Sequence, residues 1–150
     1  MPDPIIIGSD HAGFELKEKV KRALDRLGVP YEDVGTHSTE SVDYPDYAHR
    51  VAEAVEKGRY TRGIVACGTG IGVSMAANRH PGVRAAVAYD EDTARLSREH
   101  NDANVLALGG RSLDHALAVR ILEVWLKTPF AGGRHAGRIA KIEMPKAVPK

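Results

Sequence analysis

Apolar residues fall along the chain in two alternating patterns. Short, nearly continuous apolar runs occupy Pro4–Ile7, Gly63–Ala66, Arg84–Ala88 and Asn104–Leu108, with a weaker run at Pro30–Val34. Runs of this kind suit strands covered on both faces, as in a parallel sheet. Gly8 is expected to end the first. Between the runs, apolar positions recur at helical spacing. Phe14, Leu16, Val20, Ala23, Leu24 and Leu27 form one stripe, and Gly28 stands where a helix would stop. Tyr47, Val51, Ala54 and Val55 repeat the spacing as far as Gly58. Ile71–Ala77 reads as a helix of small residues. Asp90–His100 opens with acids, which favour a helix N-terminus. Leu113–Leu126 carries Leu117, Ile121, Leu122 and Trp125, and a last helix is expected over about Arg134–Glu143.

Strand alternating with helix predicts an α/β protein, a three-layer α/β/α sandwich. No Pro/Gly/Ser linker, low-complexity segment or internal repeat interrupts residues 1–150, so one domain is expected. Residues 144–150 read as a frayed tail. In open sheets of this kind, ligands bind beyond the carboxyl ends of the strands.

Composition narrows the partners. With 21 Lys and Arg against 20 Asp and Glu, the formal net charge is +1. That balance gives no general pull toward nucleic acid or a membrane surface. One cysteine, Cys67, cannot form an internal disulfide. The opening MPDPIIIGSD has a short apolar run without a basic flank, unlike a signal peptide. No stretch approaches the roughly 20 apolar residues that cross a bilayer. A cytoplasmic protein is expected.

Candidate chemistry clusters after the strands. In GSDHAG (8–13), Ser9 or Asp10 could cap the next helix, or the pair Asp10 and His11 could move protons or hold an anion. In ACGTGIG (66–72), Gly68, Gly70 and Gly72 suit either a tight strand–helix turn or a backbone cradle for an anion. Cys67 opens this loop as either a buried small residue or a reactive thiol. The spacing G-x-G-x-G departs from the dinucleotide fingerprint, although Asp90 is placed like a ribose-binding acid, so a nucleotide-binding module stays open. His100, Asn101 and Asp102 lie before the fifth run. They are expected at the far edge from Cys67, where they are solvated unless a second subunit uses them. Arg134 and Arg138 share a helix face, as a solvated basic surface or as a phosphate clamp with Arg111. No tight cluster has metal-site spacing.

Taken together, GSDHAGFELK, DYPDYA, CGTGIGVSMAANRHPGVRAA, SREHNDANVLALGGR and FAGGRHAGR resemble the type B ribose-5-phosphate isomerases and the related galactose- and allose-6-phosphate isomerases. The resemblance runs from about Ile5 to Arg138. It implies a Rossmann-like fold with a five-stranded parallel sheet, and a homodimer or dimer of dimers with active sites between subunits. It also implies interconversion of D-ribose 5-phosphate and D-ribulose 5-phosphate through an enediolate, without cofactor or metal.

By the same resemblance, Cys67 matches the isomerisation base and Thr69 the hydroxyl beside it. The amides of Gly68, Thr69, Gly70, Ile71 and Gly72 match an oxyanion cradle. His100 matches the ring-opening residue and Asp10 its helper. Asn101 and Tyr44 match groups lining the sugar pocket, and His11, Arg111, Arg134 and Arg138 a phosphate clamp. One branch of the family uses a Glu where this chain has Val73, so only the cysteine route is open here. A hexose 6-phosphate is the alternative substrate.

Overall fold

The computed structural model describes residues 2–143. The expected frayed tail lies outside them. Strands β1 (Ile5–Ser9), β2 (Tyr31–Asp33), β3 (Arg62–Cys67), β4 (Ala85–Val87) and β5 (Val105–Gly109) form an all-parallel sheet in the order β2-β1-β3-β5-β4. Helices α1 (Phe14–Leu27), α2 (Tyr44–Glu56), α3 (Ile71–Ala77), α4 (Glu91–Glu99), α5 (His115–Lys127) and α6 (Arg134–Ala140) complete the described elements. This is the α/β/α sandwich that the apolar pattern predicts.

The continuous runs are apolar because both faces of the sheet are covered. Side chains alternate along a strand, so each run feeds two cores. Ile5, Ile7, Ile64, Leu106 and Leu108 point to a core shared with Leu16, Val20 and Leu24 of α1 and Ile121, Leu122 and Trp125 of α5. Ile6, Val65, Cys67, Val105 and Ala107 point the other way, to Val51 and Val55 of α2 and Val73 of α3. Full burial of a side chain of this size contributes about 1.5–3 kcal/mol.

Several boundaries differ from the sequence expectation. Gly8 does not end the first strand, which continues through Ser9. Its lack of a side chain serves space: a Cβ there would lie 2.9 Å from Val34 Cγ2 and 3.2 Å from the Gly35 carbonyl oxygen. Asp90 and Asp114 precede α4 and α5 as caps, accepting from the Thr93 and Leu117 amides. That cap places α5 two residues later than the apolar stripe begins. Helix α6 stops at Ala140, short of Glu143. Gly28 does terminate α1 in the left-handed region, at φ 70°.

Register and order fix where chemistry can gather. Ser9 stands opposite Ala66, and Cys67 opposite Gly109. The carboxyl ends of β1, β3 and β5 therefore lie side by side. The chain leaves β1 toward β2 on one side, whereas β3 and β5 lie on the other. The reversal makes a crevice beside β1 and β3, the place where open α/β sheets bind ligands.

Candidate active site

Cys67 ends β3 at the floor of that crevice. It is 5% exposed and packs in the α2/α3 core, so the burial foreseen for a lone thiol is largely present. The Gly70 amide donates to Sγ at 3.2 Å. The loop can bend back this far because Gly70 is left-handed, at φ 81°, with the Leu108 carbonyl carbon 3.0 Å from where a Cβ would sit. Thr69 is exposed, and its Oγ1 accepts from the Ile71 amide at 3.2 Å. A hydroxyl that accepts in this way keeps its own proton to donate. Two of the five loop amides are thus engaged with Cys67 and Thr69 rather than facing outward.

Around the thiol stand the other residues of this edge. Asp10 is 6% exposed; its Oδ1 accepts from the Gly13 amide at 3.0 Å, and its own amide donates to the Ala66 carbonyl. It caps the turn into α1, whose first cap position, Gly13, has no side chain. Ser9 makes no such bond, and its buried Oγ has no partner among the described residues. His11 meets Val42 twice through Nδ1, 3.1 Å from the amide that donates to it and 3.2 Å from the carbonyl oxygen. Either protonation state of Nδ1 finds a partner there. Tyr44, the first residue of α2, lies against Gly72, where a Cβ would fall 2.7 Å from its ring. Ile71 is half exposed at the start of α3. Gly110 and Arg111 donate their amides to the Cys67 and Gly68 carbonyls at 2.8 and 3.0 Å, which brings the exposed Arg111 beside the loop.

The remaining residues assemble elsewhere. Helix α4 returns from the carboxyl end of β4 to the amino end of β5, so His100, its C-cap, lies at the opposite edge of the sheet. Five residues of intervening strand span about 16 Å. There His100 and Asn101, with His135 and Arg138, line a shallow cavity of about 300 Å³. The amide of Ala131 donates to the Glu99 carbonyl and ties the approach to α6 against the end of α4. Arg134 and Arg138 are both exposed. The four residues grouped as a phosphate clamp therefore divide within one chain, His11 and Arg111 at one edge and Arg134 and Arg138 at the other.

His135 went unassigned in the sequence, although it stands between the two arginines. Its ring stacks on His100 at 4.3 Å between centroids, with 16° between planes. Desolvation, then the positive charges of His100, Arg134 and Arg138, hold His135 below the ordinary imidazole range. A histidine next to a suspected anion site was the available signal. Asp90 is accounted for by capping: its carboxylate accepts from the Thr93 amide, which also holds it below the ordinary carboxylate range. No group of three or more His, Cys, Asp or Glu among the described residues has metal-binding geometry. No described helix is long and apolar enough to cross a membrane.

Known proteins resemble this chain along nearly its whole length. Ribose-5-phosphate isomerase B of Escherichia coli is 47% identical over 138 residues, covering 92% of this chain and 93% of that one. The solved structure of Clostridium thermocellum ribose-5-phosphate isomerase B superposes with a TM-score of 0.91 at 55% identity, covering 93% and 94%. That of Mycoplasma genitalium ribose-5-phosphate isomerase B, solved with bound ribulose 5-phosphate, superposes at 0.89 with 42% identity, covering 93% of each. The profile of the Ribose/Galactose Isomerase family matches residues 5–142, strands and both edge clusters included. With the motifs, the sheet order and these relatives in agreement, the chain belongs to the ribose/galactose isomerase family.

Proposed function

We propose that this protein interconverts D-ribose 5-phosphate and D-ribulose 5-phosphate, in sites built from the carboxyl-edge cluster of one chain and the amino-edge cluster of a second copy. The observation that carries this reading is the Cys67 sulfur beneath the Gly68–Gly72 loop, with the Gly70 amide aimed at it. The named activities of the relatives support the substrate.

The chemistry assigns each group a task. The sugar is mostly cyclic, so His100 of the second copy opens the ring, with Asp10 near the sugar hydroxyls. An imidazole suits that proton transfer near neutrality. Cys67 as thiolate then takes the proton from C2, and the electron pair becomes an enediolate. The thiol returns the proton to C1, while a hydroxyl proton passes between O1 and O2. The Thr69 hydroxyl and the loop amides not engaged by Cys67 and Thr69 serve the oxyanion, where loss of one preorganised donor typically costs about 3–4 kcal/mol. Asn101, Tyr44 and Ile71 line the sugar. His11 and Arg111 of one chain and Arg134 and Arg138 of the other hold the phosphate, which fixes the reacting carbon against the base. The division of the clamp between two edges supports a homodimer or a dimer of dimers.

Cys67→Ala is expected to fold normally and to lose at least about 10²-fold in kcat with ribose 5-phosphate. A variant retaining near-native kcat would exclude Cys67 as the base. The family also spans galactose phosphate isomerases, which keeps a hexose 6-phosphate as the second reading. Comparing kcat/KM on five- and six-carbon phosphates separates the two.

A further inference from the structure

Lys17 is a fully buried lysine that none of this chemistry uses. Its ammonium donates to Asp33 Oδ1 at 2.7 Å and to the Thr36 carbonyl at 2.5 Å, and lies 5.5 Å from the centre of the Phe14 ring. An interior ammonium is costly unless its hydrogen bonds are met, so its partners show what the burial holds together. Asp33 is itself only 11% exposed; it accepts from the Gly35 amide at 2.8 Å and from Lys21 at 2.9 Å, with His37 Nδ1 3.8 Å away. The corner over residues 33–36 is therefore gripped from α1. That corner in turn pairs with the end of β1. The Ser9 amide donates to the Gly35 carbonyl at 2.8 Å, and the Thr36 amide to the Ser9 carbonyl at 2.7 Å. One residue beyond Ser9 is Asp10, and two beyond is His11. The same segment leads on to Val42, which holds the His11 ring.

We infer that Lys17 is a positioning residue: by clamping the 33–36 corner to the end of β1, it aims His11 into the crevice. This rests on the reading of His11 as a phosphate ligand. Neither hydrophobic packing nor a surface ion pair would require a lysine here. The task needs a donor that reaches both a carboxylate and a carbonyl from beneath.

The test is Lys17→Met in the full chain, assayed with ribose 5-phosphate alone and in combination with His11→Ala. Expected are a KM raised by about tenfold, a kcat within about threefold, and no further rise in KM when Lys17→Met is added to His11→Ala. The His11 imidazole nitrogen resonances, which report the contact with Val42, are expected to move in Lys17→Met. If Lys17→Met does not fold, the double variant Lys17→Met/Asp33→Asn, which removes the carboxylate left unpaired, undergoes the same measurements. An unchanged KM in a folded variant, an equal rise in KM with and without His11, or unmoved His11 resonances would overturn the positioning role. Should His11→Ala alone leave KM unchanged, the clamp assignment fails, and the resonances still decide on Lys17.

Discussion

At the scale of single residues, the chain separates groups that advertise themselves from groups that do not. Cys67, His100 and the arginines stand in motifs, so their candidacy is legible in one dimension. Lys17 is not legible, because a lysine on an amphipathic helix ordinarily reads as solvated. Its burial depends on partners 16 and 19 residues away. His135 was missed for a related reason: its meaning lies in a ring stacked on a residue 35 positions earlier. The Asp33 network carries a pH signature. Burial alone would raise the Asp33 carboxyl, but hydrogen bonds from Lys17, Lys21 and the Gly35 amide outweigh it and hold it below the ordinary range. The stability this provides is present above the unfolded value, about pH 4, and is lost as pH falls through the lower folded one. Asp33→Asn is therefore expected to be less stable than the native protein at neutral pH, with the gap narrowing below about pH 4. Urea unfolding across that range checks this; a gap independent of pH would deny Asp33 its role.

Elements were legible where they are buried and blurred where they are not. The three central strands announce themselves as apolar runs because two cores claim their side chains. Strand β2 reads weakly since it is an edge strand whose residues Tyr31, Glu32 and Asp33 remain partly exposed. Helix starts shifted because a cap is chosen by hydrogen bonding, whereas the apolar stripe responds only to packing. Gly8 misled for the opposite reason, marking crowding within a strand and not its end. The β3–α3 turn ties element to chemistry. Gly70→Ala would force an alanine to φ 81° and press its Cβ toward the Leu108 carbonyl. A cost of about 1–2 kcal/mol is expected from the left-handed backbone alone. Activity is expected to fall along with stability, since the Gly70 amide bonds the Cys67 sulfur. Denaturant titration with a parallel kcat measurement tests both; native stability would mean that the turn tolerates a side chain.

For the whole molecule, the decisive feature is distance. The sequence order alone suggested that His100 and Cys67 sit at opposite edges, and the strand order β2-β1-β3-β5-β4 with α4 as a returning crossover makes that so. What the sequence could not supply is which groups share each edge, since that depends on register and on the docking of α6 against α4. On the proposed reading, the edge with the thiol, His11 and Arg111 and the edge with His100 and two guanidiniums are half-sites that two copies exchange. In a two-fold dimer each interface is used twice, so two sites form. Mixing Cys67→Ala with His100→Asn tests this most directly. After the subunits are allowed to exchange, half of the dimers are hybrids. Each hybrid then carries one site with both native groups and one with neither, so ribose 5-phosphate turnover is expected to recover to about a quarter of native. A mixture no more active than its two components measured separately would contradict a site shared between subunits.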